Sequence, residues 1–141
     1  HPVVWIELDA NNPNRMYASV VDSATGGVFR SNNSGQTWVK LNLPARTEGH
    51  PYNIISLKDG GLVVTFSARA KEDGVTLTES SGVFYSPDGG TSWVDRTAPA
   101  MKFYTKELVV DPHDPSQNTW YSTGKVYGVC RSKQCRKWRG L

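Results

Sequence analysis

The chain of 141 residues carries 16 Lys and Arg against 13 Asp and Glu, a net charge of +3, with 38% hydrophobic and 11% aromatic residues. That length suits one domain able to bury about two thirds of its unfolded surface, and the composition is that of a globular protein, not a disordered tail. Apolar runs such as Leu62-Val63-Val64 are too short for a membrane span, and the basic excess, gathered near the C-terminus, is too local to point to nucleic acid.

The chain opens at His1 with neither Met nor a charged-then-apolar leader. That is the expectation for a chain whose targeting segment has been removed, or for a piece of a longer polypeptide. A first unit follows. Ile6-Glu7-Leu8-Asp9 is a β-rich run, Asn12-Pro13-Asn14 a turn, and Met16-Tyr17-Ala18 a second run. After a loop at 22–26 comes Gly27-Val28-Phe29-Arg30-Ser31-Asn32-Asn33-Ser34-Gly35-Gln36-Thr37-Trp38.

The second unit repeats this order. Ile54-Ile55-Ser56-Leu57, the turn Asp59-Gly60-Gly61 and Leu62-Val63-Val64-Thr65-Phe66 precede a long loop at 69–81. Then comes Gly82-Val83-Phe84-Tyr85-Ser86-Pro87-Asp88-Gly89-Gly90-Thr91-Ser92-Trp93. The third unit runs from Leu108-Val109-Val110-Asp111 through Asp114-Pro115-Ser116 to Trp120-Tyr121-Ser122. It ends in Gly128-Val129-Cys130-Arg131-Ser132-Lys133-Gln134-Cys135-Arg136-Lys137-Trp138. Gly27, Gly82 and Gly128 stand 55 and 46 residues apart, a period that suits one supersecondary unit.

Each unit therefore predicts a four-stranded antiparallel meander, with the last outer strand reduced to 138–141. Apolar residues at helical spacing persist nowhere over ten positions, so no helix is expected. The fold class is all-β. Units are expected at about 1–43, 50–97 and 104–141.

The turn chemistry is specific. Between Val83-Phe84-Tyr85 and Trp93-Val94, Gly89 and Gly90 supply backbone at positive φ. The Asp88 carboxylate can accept hydrogen bonds from turn N–H groups that no ladder reaches, and Trp93 can fix the turn to the sheet. In the first unit Asn33 takes the Asp position and Ser34-Gly35 the Gly-Gly position. The third unit is one residue shorter and lacks both the Asp and the glycines, keeping Trp138.

These segments resemble the Asp-box, or BNR, repeat of sialidase-like β-propellers, closely at 86–93 and well at 31–38. The Asp111-Pro112…Asp114-Pro115 turn is similar to the first hairpin of blades in xyloglucan-cleaving endoglucanases and sortilin-type receptors. The resemblance implies a propeller of six or seven blades, of which three are present. It also implies that Ser31, Asn33, Gly35, Trp38, Ser86, Asp88, Gly90, Trp93 and Trp138 are structural, on the rim opposite the ligand cleft. Three blades leave the apolar sides of both terminal sheets open. Either further blades of a longer polypeptide or a second copy would complete the ring.

The face opposite the boxes is expected to carry the between-blade loops at 44–52 and 97–106 and the mid-blade loops at 22–26, 69–81 and 123–127. Loops on a rigid scaffold are where binding residues concentrate. The candidate carboxylates for glycoside hydrolysis, which needs two carboxyl groups at a set separation, are Glu48, Glu72, Asp73, Glu79 and Glu107. Candidate ligand contacts are Arg46, Tyr52, Arg69 and Tyr104; the tyrosines are suited to stacking on sugar rings or to packing between blades. The Phe/Tyr-Arg-Ile-Pro motif of sialidases is absent, and only Arg46 and Arg69 stand as face arginines, so sialidase activity is not expected. No phosphate loop, metal-protease motif or nucleophile elbow occurs, and neither cofactor nor metal is expected.

Cys130 and Cys135 lack metal-ligand or redox spacing and read as a hairpin disulfide or as two free thiols. The disulfide would imply an oxidising compartment. The expected function is that of an exported or surface-exposed propeller with polysaccharide, glycan or protein ligands. It is either part of a glycoside hydrolase or a non-catalytic propeller, a binding module like the sortilin-type receptors or a structural repeat of a surface protein.

Overall fold

The computed structural model describes the chain except for residues 23, 45–46, 48–49, 69–71, 76–77, 79–80, 99–104, 125–127, 132–133 and 137–141. For 105–106, 124, 128–130 and 134–136 it describes the backbone only. Among the described residues, twelve strands form three antiparallel sheets of four, each a simple meander in chain order. Blade 1 comprises β1 (Val3–Leu8), β2 (Met16–Val20), β3 (Gly27–Ser31) and β4 (Val39–Lys40). Blade 2 comprises β5 (Pro51–Ser56), β6 (Leu62–Phe66), β7 (Gly82–Ser86) and β8 (Val94–Asp95). Blade 3 comprises β9 (Thr105–Val110), β10 (Trp120–Gly124), β11 (Gly128–Arg131) and β12 (Gln134–Arg136).

Register is locked at equivalent positions, with Leu8 opposite Met16, Ser56 opposite Leu62 and Val110 opposite Trp120. Side chains alternate across each sheet, so every blade has one side toward the blade before it and one toward the blade after it. Tyr17, Val28 and Leu41 of blade 1 pack with Ile54, Leu62, Val64, Phe66 and Phe84 of blade 2. The Phe66 and Phe84 rings meet edge to face at 5.3 Å, an arrangement that adds about 1 kcal/mol beyond area burial. On its other side blade 2 turns Leu57, Val63 and Val83 to Leu108 and Trp120 of blade 3. Being covered on both sides, blade 2 has a fully buried, wholly apolar-or-threonine strand in Leu62–Phe66, the pattern of a strand with no solvent face.

In the third blade the strand beside β11 is Gln134–Arg136; residues 138–141, where the sequence places the last outer strand, lie outside the described residues. Only two residues separate β11 from β12, with Arg131 paired to Gln134, whereas seven separate β3 from β4 and β7 from β8. A hairpin without the box needs no long turn, so its outer strand starts at once. Trp138 lies outside the described residues.

Candidate functional site

Meander connectivity puts the β1–β2, β5–β6 and β9–β10 turns, together with both box hairpins, at one end of the blades. The β2–β3 and β6–β7 connections and the links between blades lie at the other end. At the box end the side chains bond to one another and to the turn's own N–H groups. Ser86 Oγ donates to Asp88 Oδ1 at 2.8 Å and accepts the Gly90 N–H at 2.7 Å. Asp88 Oδ1 also accepts the N–H groups of Thr91 and Ser92 at 3.0 and 2.8 Å, and Oδ2 accepts the Ser92 hydroxyl at 2.7 Å. These donors, led by the Ser92 hydroxyl and N–H, hold the Asp88 carboxyl at a pKa of about 2.

The first box repeats this network with an amide. Asn33 Oδ1 accepts from the Ser31 hydroxyl and the Thr37 N–H, both at 2.9 Å, and Gly35 N–H donates to Ser31 Oγ at 2.9 Å. Positive φ falls on Ser34 and Gly35, the counterparts of Gly89 and Gly90. The two tryptophans differ. Trp93 is half-buried against the core between blades 1 and 2. Trp38 is 37% exposed and donates its indole N–H to the Gly35 carbonyl at 3.0 Å. Burial of the ring comes from the preceding blade: Leu41 of blade 1 covers the second box, and no described blade covers the first.

The β9–β10 turn is capped in a similar way. Asp114 accepts the Ser116 and Thr119 N–H groups at 3.0 and 2.8 Å, and its carboxyl is lowered to about 2, chiefly by Ser116 and Thr119. Both strongly perturbed carboxylates are thus ionised turn caps rather than proton donors.

At the opposite end the described candidates are exposed. Glu72 and Asp73 occupy a turn in the long β6–β7 connection, where Asp73 Oδ1 accepts the Val75 N–H at 2.9 Å. Val75, in the same turn, is 83% exposed. Tyr52 is half-buried on β5, beside an irregularity of register between Pro51 and Ile54. His50 is half-buried too, and its carbonyl accepts the Ser67 N–H at 3.0 Å. In the β2–β3 connection, Asp22 accepts the Ala24 and Thr25 N–H groups and lies 2.8 Å from His1 Nδ1; the two N–H bonds lower its pKa.

Glu107 stands on β9 itself, exposed and on the side of Val109, away from Leu108. It therefore belongs to the open side of blade 3 and not to a loop. Glu48, Glu79, Arg46, Arg69 and Tyr104 lie outside the described residues. No group of three metal-ligating side chains occurs among the described residues.

The Glu7 carboxyl is raised, lifted first by desolvation. It is half-buried between blades 1 and 2 and accepts the Ser56 N–H at 3.0 Å, which makes it a blade-to-blade contact. The sequence reading passed over it because one carboxylate in a β-rich run carries no signal of burial. It also passed over Asp9, Tyr17 and Arg30. Tyr17 donates to Asp9 Oδ2 at 3.3 Å, and Arg30 Nη1 donates to the Gly89 carbonyl of blade 2 at 3.2 Å. Their recurrence as Asp111, Tyr121 and Arg131 at the same places in blade 3 was the available signal.

The chain is similar in structure to the GH74 enzyme of Niastella koreensis, with a TM-score of 0.64 at 16% sequence identity. The match covers 96% of this chain and 22% of that enzyme. It establishes a β-propeller fold for the three meanders. No protein-family model and no curated protein sequence matches the chain.

Proposed function

We propose that the chain supplies three blades of a carbohydrate-active Asp-box propeller and binds polysaccharide at the loop end of its blades. The likeness over nearly its whole length to a glycoside hydrolase family 74 enzyme carries this reading. The box hydrogen bonds support it, since the Ser86 and Asp88 side chains at the opposite end of the blades are engaged within their own hairpin. Among the described residues the ligand end comprises Glu72, Asp73 and Val75 of the β6–β7 connection and Tyr52 on β5; Arg46, Glu48, Arg69, Glu79 and Tyr104, the other candidates of the sequence, lie outside the described residues. An exposed apolar side chain in the same turn as two carboxylates suits a sugar ring, whose faces are apolar and whose edges carry hydroxyls.

Binding, and not hydrolysis by this segment alone, is the role we assign. Glu72 and Asp73 sit in an exposed turn, open to solvent and not enclosed in a cleft. Glu7, whose carboxyl burial raises, is engaged between blades.

Native affinity electrophoresis in gels containing xyloglucan tests this. Retardation is expected, reduced by Tyr52→Ala and by the combined variant Glu72→Gln, Asp73→Asn, Glu79→Gln. Unretarded migration in xyloglucan, cellulose and mannan gels alike would remove the reading. Release of reducing ends that the triple variant abolishes would instead make the segment catalytic.

We also place the protein in an oxidising, extracellular or cell-surface setting. Cys130 and Cys135 are direct cross-strand partners in the β11–β12 hairpin, the register a hairpin disulfide requires. Alkylation before and after reduction, read by mass, decides between the disulfide and two thiols.

A further inference from the structure

Each blade presents equivalent residues to its neighbours, because the strand registers coincide. Toward the following blade, blade 1 turns Tyr17 and Arg30, and blade 2 turns Val63 and Tyr85. The equivalent residues of blade 3, Tyr121 and Arg131, face no described blade and are exposed. Toward the preceding blade, blade 2 turns Ile54 and Phe84, and blade 3 turns Leu108. The equivalents in blade 1 are Ile6, 56% exposed, and Phe29; with Leu8 at 61% exposed they leave an apolar sheet side open. Both open sides are thus copies of sides already packed within the molecule.

Chemistry distinguishes which side fits which. At the junction of blades 1 and 2, the following blade carries a box. Arg30 bonds the Gly89 carbonyl of that box, and Tyr17, held by Asp9, places its hydroxyl 3.6 Å from where a Cβ on Gly89 would stand. At the junction of blades 2 and 3, the following blade has no box. The Asp, Tyr and Arg positions there are Leu57, Val63 and Tyr85, and Tyr85 packs on Trp120 with ring centroids 5.8 Å apart. An Asp-Tyr-Arg set therefore meets a box, and an apolar set meets its absence.

Blade 3 carries the Asp-Tyr-Arg set, as Asp111, Tyr121 and Arg131, with Tyr121 donating to Asp111 Oδ2 at 3.3 Å. Its following neighbour should carry a box. Blade 1 does, on its open side, and with Ser34 at the Gly89 position. We propose that two copies of this chain associate head to tail, blade 3 of each seating on blade 1 of the other. Arg131 donates to the partner's Ser34 carbonyl and Tyr121 lies over the partner's box, so that six blades close into a ring. This pairing is independent of the carbohydrate reading.

Light scattering coupled to size exclusion of the 141-residue chain tests it, with far-UV circular dichroism as the check on folding. A mass of twice the 15.6 kDa chain is expected. Ile6→Asp and Arg131→Glu each fall on an exposed position and should leave folded monomers. The decisive step is mixing them. Ile6→Asp keeps an intact blade 3 and Arg131→Glu an intact blade 1, so a head-to-tail contact regains one of its two junctions and a mixed dimer forms.

A dimer lost only with Ile6→Asp and not regained on mixing would mean blade 1 pairs with blade 1 and overturns the proposal. A monomeric wild-type chain overturns it too, leaving both sides to box-bearing or box-facing blades of other origin. So does a mass that grows without limit. Should Arg131→Glu fail to fold, Arg131→Met removes the same donor without adding a charge.

Discussion

The two box hairpins have nearly the same backbone but are held by different chemistry. In the second, the Asp88 carboxylate accepts every bond that its side chain makes, and the Ser92 hydroxyl donates to Asp88 Oδ2. In the first, Asn33 Nδ2 donates to the Thr37 hydroxyl at 2.9 Å, reversing the equivalent bond. Both satisfy the N–H groups that the chain's reversal leaves outside the ladder. The charged version adds stronger hydrogen bonds and a dependence on pH; the neutral one adds neither. Their surroundings differ as well, since blade 1 covers the second box and no described blade covers the first. What recurs is the satisfaction of the turn, and charge and cover are free to vary around it.

The sharpest way to break this equivalence is at the second glycine of each box. Gly90 has φ +100°, and a Cβ there would lie 2.5 Å from Leu41 Cδ1. Gly90→Ala therefore combines backbone strain with overpacking and should cost about 2–4 kcal/mol. Gly35 has φ +85°, but its nearest neighbours would be at 3.7 Å, so Gly35→Ala should cost only the strain, about 1 kcal/mol. Urea denaturation of the two variants compares them directly. Equal losses would mean that the blade 1–blade 2 contact leaves Gly90 as free as Gly35.

A smaller difference is expected at the serines. Ser86→Ala removes a buried donor to a carboxylate and the acceptor for Gly90 N–H, worth about 2 kcal/mol; Ser31→Ala removes a neutral counterpart, worth about 1 kcal/mol.

The pH dependence sharpens the comparison further. The Asp88 pKa of about 2 in the folded chain lies below the ordinary 3.8, so its contribution is in place above pH 3.8 and is lost as pH falls toward 2. Asp114 behaves alike. Asp88→Asn should flatten part of the acid branch of stability, leaving the Asp114 share, while Asn33→Ala should lower stability by the same amount at pH 3 and pH 7. Thermal melts across that range check both. An unchanged acid branch in Asp88→Asn would place the protonation-linked loss elsewhere.

The smallest effect expected is at the paired tyrosines. Tyr17→Phe removes a buried hydroxyl bonded to Asp9 and should cost about 1 kcal/mol. Tyr121→Phe removes the same bond on a side that is 37% exposed and should cost little in a monomer. In the proposed dimer its cost should approach that of Tyr17→Phe.

Much of the architecture was legible along the chain, because its signals are local. The meanders follow from β-rich runs separated by turns at a repeating period, and the box hairpins from Ser-x-Asp or Ser-x-Asn followed by residues able to take positive φ. These features act over a few residues, within reach of a reading in order. The β12 strand at Gln134–Arg136 was not legible, because the repeat suggested a box-length turn there although the residues that make such a turn necessary are missing.

The candidate site was legible only as a set of loops, since whether Glu72, Asp73 and Tyr52 converge depends on how blades turn against one another. The sequence by itself determined the number of meanders, their order and the turns that close two of them. Only the tertiary structure decided that Glu7 is a blade-to-blade contact and that Arg30 reads the following blade's box. It also decided that Trp93 is covered while Trp38 is open. Those outcomes rest on burial and hydrogen bonds between residues tens of positions apart, as with Arg30 and Gly89, and these exist only once the sheets are stacked.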